Sequence, residues 1–162
     1  MSPAKKGRHR DKSRGADSIQ SVATRWSLAF YRTAKDSVPA REFLLACPQS
    51  VREMLLAIVV AVRDAPPPSK MWHAMHGEMR GFHEARDEHD GRLYRVFCVL
   101  DSQALECGLD AKALTLICGG AKQVRSPMDK RVYKHALACR EDYFATRRIV
   151  LPVGVPNDQG GT

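Results

Sequence analysis

The apolar positions change period along the chain, and each change marks an element. Trp26-Ser27-Leu28-Ala29-Phe30-Tyr31 alternates, with Trp26, Leu28 and Phe30 on one side, which predicts a strand. Pro39 suits a first helical turn, with Phe43 and Leu44 as its apolar contacts. Pro48 restarts the chain as a second helix, in which Val51, Leu55, Ile58 and Val62 recur at helical spacing, so the two helices are expected to pack as a hairpin. Pro66-Pro67-Pro68 should end it, because proline lacks an amide donor and fixes its own φ.

Beyond the prolines the period returns to two. Phe82, Glu84 and Arg86 fall on one side of a strand, Leu93 to Leu100 forms a more apolar one, and Asp90-Gly91 between them reads as a hairpin turn. Leu114 to Cys118 is a third apolar run, closed by Gly119-Gly120. The stretch from Asp101 to Lys112 is long for a hairpin loop and is expected to protrude. Ser126-Pro127-Met128-Asp129 reads as a helix start, with a hydroxyl cap and proline in the first turn. That helix should run to about Arg148, with Val132, Ala136, Cys139 and Tyr143 as its inner stripe. Gly, Pro, Asn and Asp beyond Pro152 signal a frayed tail, and no internal repeat is present.

Composition narrows the function classes. Lys and Arg number 26 against 18 Asp and Glu, a formal charge of +8, which favours a polyanion as partner. Residues 1–25 hold seven basic side chains against Asp11 and Asp17 and few apolar ones, the pattern of a disordered basic arm. Two readings stay open for it: a nonspecific nucleic-acid tether or a solvated leader. No apolar run spans a membrane and the start lacks the apolar stretch of a signal peptide, so a cytoplasmic protein is expected. The five cysteines (Cys47, Cys98, Cys107, Cys118, Cys139) are widely spaced without a CxxC pair, which reads as reduced, mostly buried thiols. His73-x-x-His76 is the one close pair of metal-ligand type and has no second pair to complete a tetrahedron, so no metal is expected.

Strand, helical hairpin, three strands and a closing helix is also the order of elements in RelE-type toxins. Several local motifs agree: Pro39-Ala40-Arg41-Glu42-Phe43-Leu44 at the hairpin opening, Glu84-Ala85-Arg86, Arg92-Leu93-Tyr94-Arg95-Val96, the basic loop Lys122-Gln123-Val124-Arg125 running into Ser126-Pro127, and Asp142-Tyr143. Over Trp26 to Arg148 the chain thus resembles the RelE/ParE toxin superfamily, nearest its HigB-like, phage-derived branch. It departs from that pattern at Gly119-Gly120-Ala121, where relatives commonly carry an aromatic residue and a Lys-Lys pair, and in the longer loop from Asp101 to Lys112. The resemblance implies an α+β RelE-like fold, a small antiparallel sheet packed against an N-terminal helical hairpin with a C-terminal helix. Residues 26–150 would form the toxin domain, between the basic arm and a tail over residues 151–162.

It further implies a type II toxin-antitoxin toxin that cuts messenger RNA on the ribosome without a metal or other cofactor. Its partner would be an antitoxin, usually a small helix-turn-helix protein. In that reaction a 2′-hydroxyl attacks the neighbouring phosphate, and positive charge on the phosphorane is what the protein must supply. Arginine offers a planar fork of donors and stays charged, whereas lysine acts as a mobile point charge. The expected catalytic set is Glu84, Arg86, Arg95 and Lys122, with Arg92, Arg125, Tyr94 and Tyr143 as RNA-binding residues. Glu84 shares a strand face with Arg86; it can orient an arginine, act as a base or form an exposed cross-strand ion pair. His76 is the best placed imidazole for proton transfer, while His83 alternates away from Glu84. Tyr143 can stack on a base, donate a proton or pack in the core, and Tyr94 and Trp72 can stack or line the core and its rim. Two rival functions remain: a ParE-like inhibitor of DNA gyrase, and a noncatalytic RNA- or ribosome-binding module.

Overall fold

The computed structural model describes residues 26–64 and 70–152, so the basic arm, the proline run and the tail beyond Pro152 lie outside the described residues. Among these residues it is an α+β fold of three α-helices and one six-stranded sheet. Strand β1 (Ser27–Tyr31) leads into helix α1 (Pro39–Ala46) and helix α2 (Gln49–Asp64). Pro39 takes the first turn of α1 as expected, and the Pro48 carbonyl accepts the first helical bond of α2, from the Arg52 amide at 3.0 Å. Val51, Leu55, Ile58 and Val62 are all buried, the face that their spacing predicts.

Then come β2 (Trp72–Ala74), a short 3-10 turn at Gly77–Met79, β3 (His83–His89), β4 (Arg92–Asp101), β5 (Ala113–Gln123), α3 (Lys130–Thr146) and β6 (Ile149–Val150). Asp90 and Gly91 both adopt positive φ (49° and 73°), the geometry of a two-residue hairpin turn that matches strand twist. The short strands β2 and β6 had no signal in the sequence, since two or three residues are too few to show a period.

The strand order is β2-β3-β4-β5-β1-β6. The expectation of an antiparallel sheet needs correction, because β1 runs parallel to β5 while the other neighbours are antiparallel. Parallel neighbours need a long crossover, and here everything from α1 to β4 intervenes between them. Both faces of the sheet are covered. Helices α1 and α2 close a core with Leu28, Phe30, Val96, Cys98, Leu114 and Leu116, while α3 closes a second with Tyr31, Phe82, Phe97, Val99, Ile117 and Cys118.

One irregularity decides which side chains meet. Phe97 lies opposite Cys118 but Cys98 lies opposite Leu116, so β5 carries a bulge at Ile117. Before it, Leu114 and Leu116 face α1 and α2; after it, Cys118 and Gly120 face α3. The bulge thereby carries Lys122 to the α3 face. Unbroken alternation from Leu114 would have left it on the other side.

Gly119 and Gly120 are close-packing residues. A Cβ on Gly119 would stand 2.2 Å from the Phe43 ring of α1, and one on Gly120 would stand 2.6 Å from Val132 of α3. The two glycines let helices press onto β5 from both sides.

The start of α3 also differs from expectation. Asp129, not Ser126, is the cap, its carboxylate accepting from the Arg131 amide at 2.9 Å. Ser126 instead closes a turn, its amide donating to the Gln123 carbonyl at 3.0 Å. The helix stops at Thr146, where Arg147 turns left-handed (φ 48°) and returns its amide to the Tyr143 carbonyl. The stretch from Asp101 to Lys112 protrudes only in part: Leu105 and Cys107 are exposed, but Ala104 is fully buried and its carbonyl accepts from the Leu109 amide at 3.0 Å.

Candidate functional site

Arg86 of β3 lies directly opposite Arg95 of β4, and Arg95 lies opposite Gly120 of β5, two residues from Lys122. Glu84 is opposite Phe97, which packs under α3, so Glu84, Arg86, Arg95 and Lys122 all belong to the α3 face. Opposite neighbours in a sheet hold their Cβ atoms about 5 Å apart and diagonal ones about 7–8 Å, within reach of long side chains. Four of the residues expected to act together are therefore brought together.

At the floor of this group, Arg95 Nη1 donates to Glu84 Oε2 at 3.2 Å, with the two side chains only 15% and 7% exposed. An uncompensated charge at such depth is costly, so each holds the other in place. Glu84 thus forms a cross-strand ion pair that orients Arg95, buried where an exposed pair was expected. Arg95 Nε is buried without a hydrogen-bond partner among the described residues. Arg86 is more open and spends one donor, Nε, on the Lys70 carbonyl at 3.1 Å. Lys122 Nζ donates to the carbonyls of Ser126 (2.6 Å) and Val124 (3.4 Å), which ties the turn before α3 to the sheet. Three cations against two carboxylates on this face, Glu84 and the exposed Glu88 opposite Leu93, leave a positive surplus, and like charges directly across a ladder cost stability unless something anionic offsets them.

The remaining expected residues lie elsewhere. Arg92 and Tyr94 alternate to the α1–α2 face, where Tyr94 packs against the core and Arg92 is exposed at the strand end opposite Gln123. Neither shares a face with Arg86. Arg125 is exposed in the turn that Lys122 holds. His76 is exposed beside the 3-10 turn, near the His83 end of β3, where it lines a shallow cavity with Met75, Arg80 and His83.

His83 stacks on Trp72 (5.2 Å between centroids, 13° between planes), and burial pushes its pKa down. Trp72 itself belongs to the core. Tyr143 as an RNA-stacking residue is corrected, because it is fully buried and has no ring face open to a base. Its hydroxyl donates to Asp101 Oδ2 at 2.9 Å and accepts from Thr115 Oγ1 at 3.0 Å, and Arg147 Nε donates to the same carboxylate oxygen at 2.8 Å. This network ties the end of α3 to β4 and β5.

One neighbour of the site escaped the sequence reading. Tyr133 sits one position off the inner stripe of α3, and its ring meets Phe97 edge to face at 5.9 Å. A stripe counted at helical spacing passes it by; its signal would have been an aromatic flanking the stripe beside a basic helix start.

The thiols of Cys98, Cys118 and Cys139 are buried, and burial pushes Cys139 up to about 11, so it is protonated at neutral pH. Among the described residues no three His, Cys, Asp or Glu side chains converge as metal ligands, and no helix is long and apolar enough to cross a membrane. Comparison with protein-family models, with curated proteins and with solved structures finds no significant match for this chain.

Proposed function

We propose that the chain is a toxin of the RelE/ParE superfamily, of the HigB-like phage-derived branch, and a metal-independent endoribonuclease that cuts translated messenger RNA. The observation that carries this reading is the cationic surplus of Arg86, Arg95 and Lys122 at adjacent register positions on one sheet face. The order of strand, paired helices, strands and closing helix supports it as well.

In this reading the 2′-hydroxyl of one nucleotide attacks the adjacent phosphate, and a 2′,3′-cyclic phosphate and a 5′-hydroxyl are released. Charge builds on the equatorial oxygens of the phosphorane, where preorganised donors stabilise it without reorganising. Arg86 keeps donors open to solvent, so it meets the phosphate, and Lys122, diagonal to Arg95 on the far side of β4, adds positive charge from β5. Arg95, held by Glu84, supplies fixed positive charge from below. Gly119 and Gly120 are covered by Phe43 and Val132 from the helices and contribute no side chain to this site. A cognate antitoxin, a small helix-turn-helix protein, would silence the enzyme by covering the same cations.

The test is induced expression in a bacterial host, wild type beside Arg86→Ala and Lys122→Ala, with growth followed and transcript 5′ ends mapped. Growth arrest with cuts inside translated frames, lost in both variants, is the expected result. Arrest with intact transcripts would point to gyrase instead, and absence of arrest to a noncatalytic binding module.

A further inference from the structure

Tyr133 is half-buried in the first turn of α3, against Phe97. Phe97 is the cross-strand partner of Glu84 and stands two residues from Arg95 on the same face. Next to Tyr133 in the chain, Val132 overlies Gly120, the residue opposite Arg95. The first turn of α3 therefore walls the Glu84–Arg95 pair, and Tyr133 is the aromatic in that wall.

Its hydroxyl differs from those of the other tyrosines on this face. Tyr31 donates to Asp142 and Tyr143 to Asp101, at 2.5 and 2.9 Å. The Tyr133 hydroxyl has no hydrogen-bond partner among the described residues, yet it is not sealed from solvent. The carboxylate of this pair is taken by Arg95 at 3.2 Å, so the phenol donor stays open to water or to an acceptor brought in from outside the chain.

The geometry points to Tyr133 as a substrate-touching residue whose hydroxyl donates a hydrogen bond to a phosphate oxygen of the RNA held by Arg86 and Lys122. This rests on the ribonuclease reading above. No proton changes owner; the phenol adds a neutral, directional donor to a set of charged ones, and its ring is fixed in advance by Phe97.

The experiment measures kcat/KM on a translated message, together with thermal unfolding, for the full-length wild type, Tyr133→Phe, Tyr133→Leu and Arg86→Ala. Tyr133→Phe keeps the Phe97 contact, so it should melt with the wild type while kcat/KM falls roughly tenfold to a hundredfold, the range for losing a hydrogen bond to a charged group. Tyr133→Leu should lose the same activity and some stability besides. Wild-type kcat/KM in Tyr133→Phe, with Arg86→Ala inactive, overturns the role of Tyr133 alone and leaves the ribonuclease reading standing. A wild-type chain that cuts no message overturns both.

Discussion

Arg86 and Tyr143 show how differently two site candidates from one sequence can be used. Arg86 spends a single donor on the Lys70 carbonyl and packs into no core, so Arg86→Ala should shift stability by no more than about 0.5 kcal/mol. RNA cleavage should fall by roughly a hundredfold or more in the same variant, the scale of removing one preorganised donor. Paired denaturation and cleavage assays check this, and a collapse of stability would assign Arg86 to the scaffold. Tyr143→Phe should do the reverse: Thr115 loses its acceptor and Asp101 a donor in a buried setting, for a loss of about 1–3 kcal/mol in urea unfolding with cleavage intact. Asp101 also sets a pH dependence. Burial pushes its carboxyl up, but hydrogen bonds from Arg147 and Tyr143 outweigh this and leave it below the usual value. A depressed folded pKa stabilises the fold above the unfolded value of about 3.9, and that contribution is lost as pH falls from there through the folded pKa. Urea midpoints measured from about pH 6 to pH 2 should therefore drop on the acid side, less steeply in Asp101→Asn than in the wild type.

Among the elements, β5 is the one whose details matter most. Its glycines admit Phe43 on one side and Val132 on the other, so Gly119→Ala forces a ring off β5 and should cost about 1–3 kcal/mol. Thermal melting of Gly119→Ala beside wild type reads this, and an unchanged midpoint would mean that α1 yields freely. Long periodic segments were legible in the sequence: α2 from Val51, Leu55, Ile58 and Val62, and the β3–β4 hairpin from Asp90-Gly91. Local cues failed where tertiary contacts decided the outcome. Ser126 lost the cap of α3 to Asp129, whose charged carboxylate is a stronger acceptor near a positive helix end. Placing Lys122 with Arg95 depends on the bulge at Ile117, which appears in the register and not in the residue types. Tyr94 and Arg92 fell on the far face for the complementary reason: β4 alternates without interruption, so they cannot share a face with Arg95.

Across the whole molecule the charge is uneven. Residues 1–25 carry a surplus of five positive charges out of the total of +8, and the sheet site adds a compact cationic group of its own. If the arm is a tether, a chain lacking residues 1–24 should bind RNA with a flatter dependence on salt, because fewer counterions are released, and should still cut at the same positions. Equal salt slopes for the two chains would make the arm a solvated leader. Whether Arg86, Arg95 and Lys122 form a phosphate-cleaving site is decided by a reconstituted translation reaction. Purified chain is added to ribosomes translating a defined message, wild type beside Arg86→Ala, and the message ends are analysed. Cuts within the open reading frame that end in 2′,3′-cyclic phosphate, present with wild type and absent with Arg86→Ala, are the predicted result. A message left intact by the wild type, or cut equally well by Arg86→Ala, would contradict it.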